Sequence, residues 1–222
     1  MNSPRQNVRT LLRQRCEQRG VVLSGHQLDR LVAYLRLLQQ WRRHLNLTGL
    51  RDVERLMEVL IVESLDFLRG GFLSPAARVL DLGTGAGVPG VTLAVCGPPL
   101  RLTLLDRSQK KITFLRRVVA HLDLRECQPE AASAEELARR LASDARFDAV
   151  VTRGVGRVSH LLSLAAPLLR PGGVLLLRKP ADTPELREAE SLLASDTWKD
   201  VRRIALPAMP PSAWILLGCV KA

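Results

Sequence analysis

The first seventy residues place apolar side chains at helical spacing. Ser24 followed by Gln27 has the pattern of a helix capping box, and an apolar stripe starts directly after it. The stripe consists of Leu28, Leu31, Val32, Leu35 and Leu38, which share one face of a helix. This pattern predicts a mostly helical region over residues 1–70.

Gly70, Gly71 and Pro75 then interrupt the pattern, and short apolar runs alternate with helical segments. The predicted strands cover residues 78–82, 100–105, 125–128, 147–152 and 174–178, with a helix over 110–121 and a terminal antiparallel pair over 201–206 and 214–220. Alternation of this kind predicts βαβ units and a mostly parallel, doubly wound α/β sheet. The predicted domains are therefore an N-terminal helical extension, 1–70, packed on a sheet domain, 71–222.

A glycine-rich turn follows the first predicted strand, where residues 79–90 read VLDLGTGAGVPG. Glycines remove the Cβ atoms, so that the backbone of such a turn can approach a ligand closely. Asp106 ends the next predicted strand, and a carboxylate there can accept hydrogen bonds from both hydroxyls of a ribose. The turn and the carboxylate together predict a site for a nucleotide-sized cofactor beyond the carboxyl ends of the strands.

Two cofactors compete for this site. Residues 85–90 match the dinucleotide pattern G-x-G-x-x-G, but Pro89 removes an N–H that a pyrophosphate would use. Asp81 would place a negative charge near that pyrophosphate, whereas the same charge attracts the sulfonium and ammonium of S-adenosylmethionine. We therefore predict a methyltransferase that uses S-adenosylmethionine, bound in part by Asp81, Gly83, Gly85, Gly87 and Asp106.

The methyl acceptor is expected near the end of the fourth strand, where residues 148–154 read DAVVTRG. This segment offers neither a nucleophile nor an evident general base. An acceptor with a free lone pair, such as guanine N7, needs neither. Arg153 is a candidate to contact a base or the cofactor, and Lys179 a candidate to hold a phosphate; an ordinary strand-end charge is the alternative for both. We take these two residues as acceptor-positioning candidates.

The charge balance favours a polyanionic partner. The chain carries 33 basic and 22 acidic residues, a formal net charge of +11. Arg30, Arg36 and Arg43 lie opposite the apolar stripe, and Arg5, Arg9 and Arg13 form a second basic row. These rows are either RNA-facing surfaces or ordinary solvated helix faces.

Metal, membrane and secretory signals are not evident. The four cysteines lie outside ligand spacing, so no metal is expected. No apolar run is long enough to span a bilayer, and no signal core follows the N-terminal arginines, which predicts a cytoplasmic protein. The sequence does not fix the oligomeric state, and a monomer is the expectation.

Several motifs resemble the RsmG (GidB) family, bacterial methyltransferases that act on guanine N7 of 16S rRNA. Trp41 followed by residues 45–48, LNLT, resembles the family's W-x-x-x-x-N-L-T signature, and residues 81–90 resemble its D-[VL]-G-T-G-x-G-[LV]-P-G loop. Residues 104–115, 134–136, 152–153 and 179 also fall where the family has its L-L-D-S-x-x-K-[RK]-x-x-F-L, [VA]-E-E, S-R and K-G motifs. The resemblance implies that the target is a guanine in the 530 loop of 16S rRNA, within the small ribosomal subunit. It also implies contacts with S-adenosylmethionine by Gly83, Val88, Asp106, Ala134, Glu135 and Arg153.

The chain departs from the family on the expected acceptor side. Residues 60–64, LIVES, stand where the family has His-x-x-Asp-Ser, and Pro180 follows Lys179 in place of glycine. Two alternatives therefore stay open. One is a diverged relative that methylates a small molecule or a protein, and the other is a non-catalytic RNA-binding protein that senses the cofactor.

Overall fold

The computed structural model describes residues 4–45, 52–154, 156–207 and 214–222. The N-L-T motif at residues 46–48 lies outside them, as do the side chains of Arg5 and Arg43. No helix within the described ranges is both long and apolar enough to cross a membrane.

The N-terminal region is helical, as predicted. Helix α1 covers Pro4–Gln18, α2 Gly25–Leu45 and α3 Val53–Leu56, which continues into a π-helical turn, Met57–Ile61, and a 3-10 segment, Val62–Gly71. The predicted capping box opens α2, with the Ser24 N–H 2.9 Å from Gln27 Oε1 and the Gln27 N–H 3.2 Å from Ser24 Oγ. All five residues of the apolar stripe are buried. The helix is therefore stabilised by its cap and by burial of one face.

A seven-stranded sheet forms the centre of the molecule, in the order β3-β2-β1-β4-β5-β7-β6. The strands are β1 Arg78–Leu82, β2 Arg101–Asp106, β3 Cys127–Ala131, β4 Phe147–Thr152, β5 Leu169–Pro180, β6 Trp198–Ala205 and β7 Trp214–Lys221. Strands β1 to β5 are parallel, and β7 runs antiparallel to both β5 and β6. The doubly wound fold and the terminal antiparallel pair are confirmed.

Strands β3, β5 and β6 differ from the predicted bounds by two or more residues at one or both ends, and β6 begins at Trp198 rather than at residue 201. Strand β3 lies two residues later and contains Pro129; it pairs with β2 at the edge of the sheet, where a missing N–H is tolerated. Strand β5 begins at Leu169, opposite Phe147, because the ladder continues across an irregularity through the predicted turn.

Helices pack on both faces of the sheet. They are α4 Gly90–Cys96, α5 Gln109–His121, α6 Ala134–Arg140, α7 Val158–Ala165, α8 Pro184–Glu188 and α9 Glu190–Leu193, with 3-10 turns at Ser143–Ala145 and Ala166–Leu168. Alternate strand residues enter two apolar clusters, as Val79 and Leu80 do on β1. One cluster also contains residues of α1, α2, α4 and α5, and the other those of α6 and α7. The N-terminal helices therefore cover one face of the sheet; the domain boundary at residue 70 stays a prediction.

Two arginines of the basic rows make structural contacts. Arg30 Nε lies 2.9 Å from the carbonyl oxygen of Leu122, at the end of α5, and Arg9 forms an ion pair with Asp29 at 2.6 Å. Arg36 and Arg13 are exposed. Because the guanidinium of Arg30 joins α2 to α5, Arg30 is removed from the residues that we predict to face RNA.

Candidate active site

The glycine turn joins β1 to α4 at the carboxyl edge of the sheet. Gly85 has φ +58°, in the left-handed region, and a Cβ placed there would meet no atom closer than the Gly83 carbonyl oxygen, at 3.8 Å. Gly87, at φ +98°, differs because its Cβ would lie 2.6 Å from Val91 Cγ2 and 2.9 Å from Leu115 Cδ2. Gly85 thus leaves the outer side of the turn open, whereas Gly87 lets the turn pack on α4 and α5.

Asp81 lies beneath the turn and is fully buried. Its Oδ2 accepts hydrogen bonds from Thr84 Oγ1 at 2.6 Å and from the Gly90 N–H at 2.7 Å. Burial raises the pKa of this carboxyl to about 7, against the lowering effect of the two hydrogen bonds. Asp81 therefore joins the two ends of the turn from inside, and its predicted influence on a cofactor would be electrostatic rather than by contact.

Tyr34 of α2 supports the same turn, which the sequence patterns did not reveal. Its hydroxyl donates to the Ala86 carbonyl oxygen at 2.7 Å, and the side chain is fully buried. Burial raises the pKa of the phenol above its ordinary value, so it stays a donor. The one available signal was a tyrosine within the apolar face of a helix.

Asp106 ends β2 beside the turn. Its Oδ2 lies 3.0 Å from the Gly85 N–H and 3.2 Å from Lys111 Nζ, and its Oδ1 accepts from the Ser108 N–H at 2.9 Å. These three bonds fix the carboxylate and leave one lone pair, on Oδ1, for a ligand. Lys111, in the first turn of α5, was not predicted to act here and balances the charge of Asp106.

A cleft of about 600 Å³ opens along the carboxyl ends of β3, β2, β1 and β4. Four predicted site residues line it together: Gly83, Asp106, Ala134 and Arg153. Its wall also includes Leu82, Leu105, Arg107, Lys111, Ala132, Ser133, Gly154, Gly156, His160 and Leu164. The volume lies in the range of small-molecule and cofactor sites.

The other predicted residues lie around this cleft rather than in its wall. Val88 is buried in the apolar cluster, Gly85 and Gly87 lie in the turn, and Asp81 of β1 lies beneath it. Glu135 lines a neighbouring groove, where it pairs with Arg107 at 3.1 Å. The side chains or Cβ positions of Asp81, Gly87 and Val88 face the interior and support the turn, and contacts of these residues with the cofactor stay a prediction.

Arg153 follows β4 and reaches from the cleft to the N-terminal region. Its Nη2 lies 2.5 Å from Glu63 Oε2, and its Nη1 donates to the Val59 carbonyl oxygen. Burial lowers the pKa of Arg153 to about 10, while the charge of Glu63 acts in the opposite direction. Arg153 thus lines the cleft while its guanidinium is held by an ion pair with the N-terminal region.

Lys179 is not part of the cleft wall. Its Nζ donates to the Gly156 carbonyl oxygen at 3.0 Å and pairs with Glu185 at 3.2 Å. The ammonium is thus paired with a carboxylate and supports the loop after β4, and its predicted contact with a phosphate stays a prediction. His160 and Leu164 of α7, by contrast, line the cleft although sequence reasoning missed them; α7 shows only the apolar spacing of an ordinary helix.

Comparison with known families matches residues 27–207 to rRNA small subunit methyltransferase G. The chain belongs to this family. Relatives of that name from Deinococcus radiodurans and Lachnoclostridium phytofermentans are 40% and 35% identical, over 80% and 78% of this chain and 70% and 72% of their own. The fold is similar to that of SibL, an S-adenosylmethionine-dependent methyltransferase, with a TM-score of 0.58 and 21% identity over 96% of this chain and 74% of that one.

The predicted family, enzyme class and cofactor are thereby confirmed: the chain is an S-adenosylmethionine-dependent methyltransferase. The residues present fit this cofactor. Asp106 keeps a lone pair on Oδ1, Gly85 leaves the turn open, and the cleft extends over four strand ends, a width of roughly 14 Å at strand spacing. No cluster of three metal-ligating side chains occurs among the described residues.

Proposed function

We propose that this enzyme methylates guanine N7 in small-subunit rRNA, within the 530 loop that the family resemblance implies. The observation that carries the proposal is family membership combined with the wall of the cleft after β4. That wall consists of Arg153, Gly154 and Gly156 in the described residues, with no carboxylate or nucleophile from the strand end itself. Such a wall suits an acceptor that needs no proton removed.

The chemistry asks the protein mainly for positioning. When bound, S-adenosylmethionine supplies an electrophilic methyl carbon on a positively charged sulfur. Guanine N7 presents a lone pair, so the protein has to align the two reactants and exclude water. Asp106 would orient the ribose, and Arg153 would border the place where acceptor and donor meet.

The positive charge of the chain supports an RNA substrate. A net charge of +11 favours association with phosphates, and RNA bases are accessible to proteins mainly in loops where they can be splayed out. An rRNA substrate would place the enzyme in the cytoplasm, and we take it to act as a monomer.

Methylation of small-subunit RNA tests the proposal. Purified enzyme is incubated with labelled cofactor and with 30S subunits or 16S rRNA from a strain that lacks the modification. Mass spectrometry of nuclease fragments should then find one 7-methylguanosine, in the 530 loop. The Asp106→Ala variant, assayed in parallel at the same cofactor concentration, should incorporate much less label.

Three results would contradict the proposal. Label on a protein or a small molecule would favour a diverged relative. Label on another RNA position would move the target. Cofactor binding and RNA binding without any transfer would indicate a non-catalytic RNA-binding protein.

A further inference from the structure

A cluster of buried and half-buried charges joins the N-terminal helical region to the carboxyl ends of β4 and β5. Its members are Glu58, Glu63 and Asp66 from the segment after α3, with Arg19 from the end of α1, Arg153 after β4 and Arg178 in β5. Charges in the interior need partners, and here each carboxylate has at least one guanidinium within 3.1 Å.

Glu63 is the branch point of this cluster. Its Oε2 lies 2.5 Å from Arg153 Nη2 and 3.1 Å from Arg178 Nη1. Arg178 continues inward, with its Nε 2.9 Å from Asp66 Oδ2 and its guanidinium 4.2 Å from the centre of the Trp214 ring. One carboxylate oxygen therefore serves two arginines, of which Arg153 alone lines the cofactor cleft.

The side chain of Arg153 is fixed from the N-terminal side. Besides Glu63, its guanidinium donates to the carbonyl oxygen of Val59, within the π-helical turn Met57–Ile61. Turns of this kind are frequent at functional sites. The two contacts use two of the five guanidinium N–H groups, and Arg153 also lines the cleft.

We propose that Glu63 is a positioning residue that acts through Arg153. Glu63 holds the side chain of Arg153 at the β4 end of the cleft. The N-terminal helical region thereby determines the position of a residue that borders the cofactor and the acceptor. Arg178 has a different task, because it balances Glu63 and Asp66 inside the protein without reaching the cleft. This inference rests on the proposed function, in which Arg153 belongs to the cofactor and acceptor site.

Two variants distinguish a positioning role of Glu63 from a role in stability alone, because each of them breaks an ion pair of the Glu63 carboxylate. Glu63→Gln removes the charge that holds Arg153, and Arg178→Gln removes the other partner of Glu63. Both should lower the melting temperature. The affinity for S-adenosylhomocysteine, measured by calorimetry well below melting, should fall at least fivefold in Glu63→Gln and stay within twofold in Arg178→Gln.

A double variant tests whether Glu63 acts through Arg153. In an Arg153→Met background, Glu63→Gln should cause no further loss of affinity. Glu63→Asp, which keeps the charge, should restore at least half of the affinity lost in Glu63→Gln. If Glu63→Gln does not fold, Glu63→Asp is compared with Arg178→Gln instead. A larger loss of affinity for S-adenosylhomocysteine in Glu63→Asp than in Arg178→Gln then supports the proposal.

Equal losses of affinity in Glu63→Gln and Arg178→Gln would overturn the proposal. It would also be overturned if Glu63→Gln lowered the affinity of the Arg153→Met protein as much as it lowers that of the wild-type protein. The calorimetric comparison needs no acceptor. If it gives the expected result while wild-type enzyme leaves small-subunit RNA unmethylated, the proposed function fails and the role of Glu63 stands.

Discussion

Individual side chains at the carboxyl edge of the sheet are set before any ligand arrives. Asp106 is held by the backbone of Gly85 and Ser108 and by Lys111, so little of its freedom remains to be lost on binding. Asp81 is held as firmly but from below the turn. Two carboxylates that look alike in the sequence therefore have different tasks, one in the cleft and one under it.

Replacing Asp106 by Ala should weaken binding of S-adenosylhomocysteine by about 1.5–3 kcal/mol, the loss expected for hydrogen bonds to a charged group. Calorimetry measures it directly. The matched control is Asp196→Ala, which removes an exposed carboxylate that does not line the cleft, and this variant should keep the affinity of the wild-type protein. An Asp106→Ala variant that binds at full strength would show that the ribose lies elsewhere.

Asp81 makes stability depend on pH. Its pKa in the fold, about 7, lies above the ordinary value of 3.8, so the folded state binds the proton more tightly than the unfolded state. The stability that this carboxyl contributes is full below about pH 4 and is lost as the pH rises to 7 and above. In Asp81→Asn, whose amide oxygen can accept from the same two donors, the melting temperature should fall less between pH 5 and pH 8. Parallel curves for the two proteins would disprove the raised pKa.

His160 tests whether the reaction needs a base, because it is a titratable side chain in the cleft that could accept a proton. If the acceptor is guanine N7, His160→Ala should keep kcat within about threefold at saturating cofactor. A general base would be worth about 10²- to 10⁴-fold. A loss of that size, together with loss of the low-pH limb of the rate profile, would argue for an acceptor that must be deprotonated.

At the scale of elements, the glycine turn and its flanking strands followed from the sequence. Strands β1 and β4 begin and end where the apolar runs do, because both are central and buried on two faces. Strand β3 was misplaced because an edge strand with one neighbour needs only a weak apolar pattern. The start of β5 was missed because Pro171 and the two glycines after it indicate a turn, while the pairing of Leu169 with Phe147 of β4 extends the strand.

The two middle glycines of the turn should respond differently to alanine. Both have positive φ, so each substitution strains the backbone, but only at Gly87 would the new Cβ contact Val91 and Leu115. Gly87→Ala should therefore unfold at lower urea concentration than Gly85→Ala, by about 1–3 kcal/mol in free energy of unfolding. Equal stabilities would mean that the turn can move away from α4 and α5.

For the whole molecule, the N-terminal helices are part of the structure that supports the site. Leu12 and Leu28 belong to the same apolar cluster as Val79 and Leu104 of the sheet, and Tyr34 holds the glycine turn. The predicted boundary at residue 70 therefore separates two kinds of local structure that share one core.

A fragment of residues 71–222 should not fold cooperatively. Without α1 and α2 it would expose the apolar side chains on one face of the sheet, and the turn would lose its support from Tyr34. Urea unfolding followed by circular dichroism, with the full chain as control, measures this. A sharp two-state transition in the fragment would show that the sheet domain is independent of the helical extension.

The sequence by itself determined the doubly wound sheet, the glycine turn and the position of Asp106 at the end of β2, because these depend on local apolar periodicity and on residue types at fixed spacing. It could not show that Tyr34 reaches Ala86, that Glu63 holds Arg153, or that Lys179 points behind the loop after β4. Those contacts join residues 23 to 90 positions apart, or depend on which way a charged side chain turns. These contacts depend on how the helices pack against the sheet. The periodicity of apolar residues shows which face of a helix or strand is buried, but it does not show which residues that face contacts.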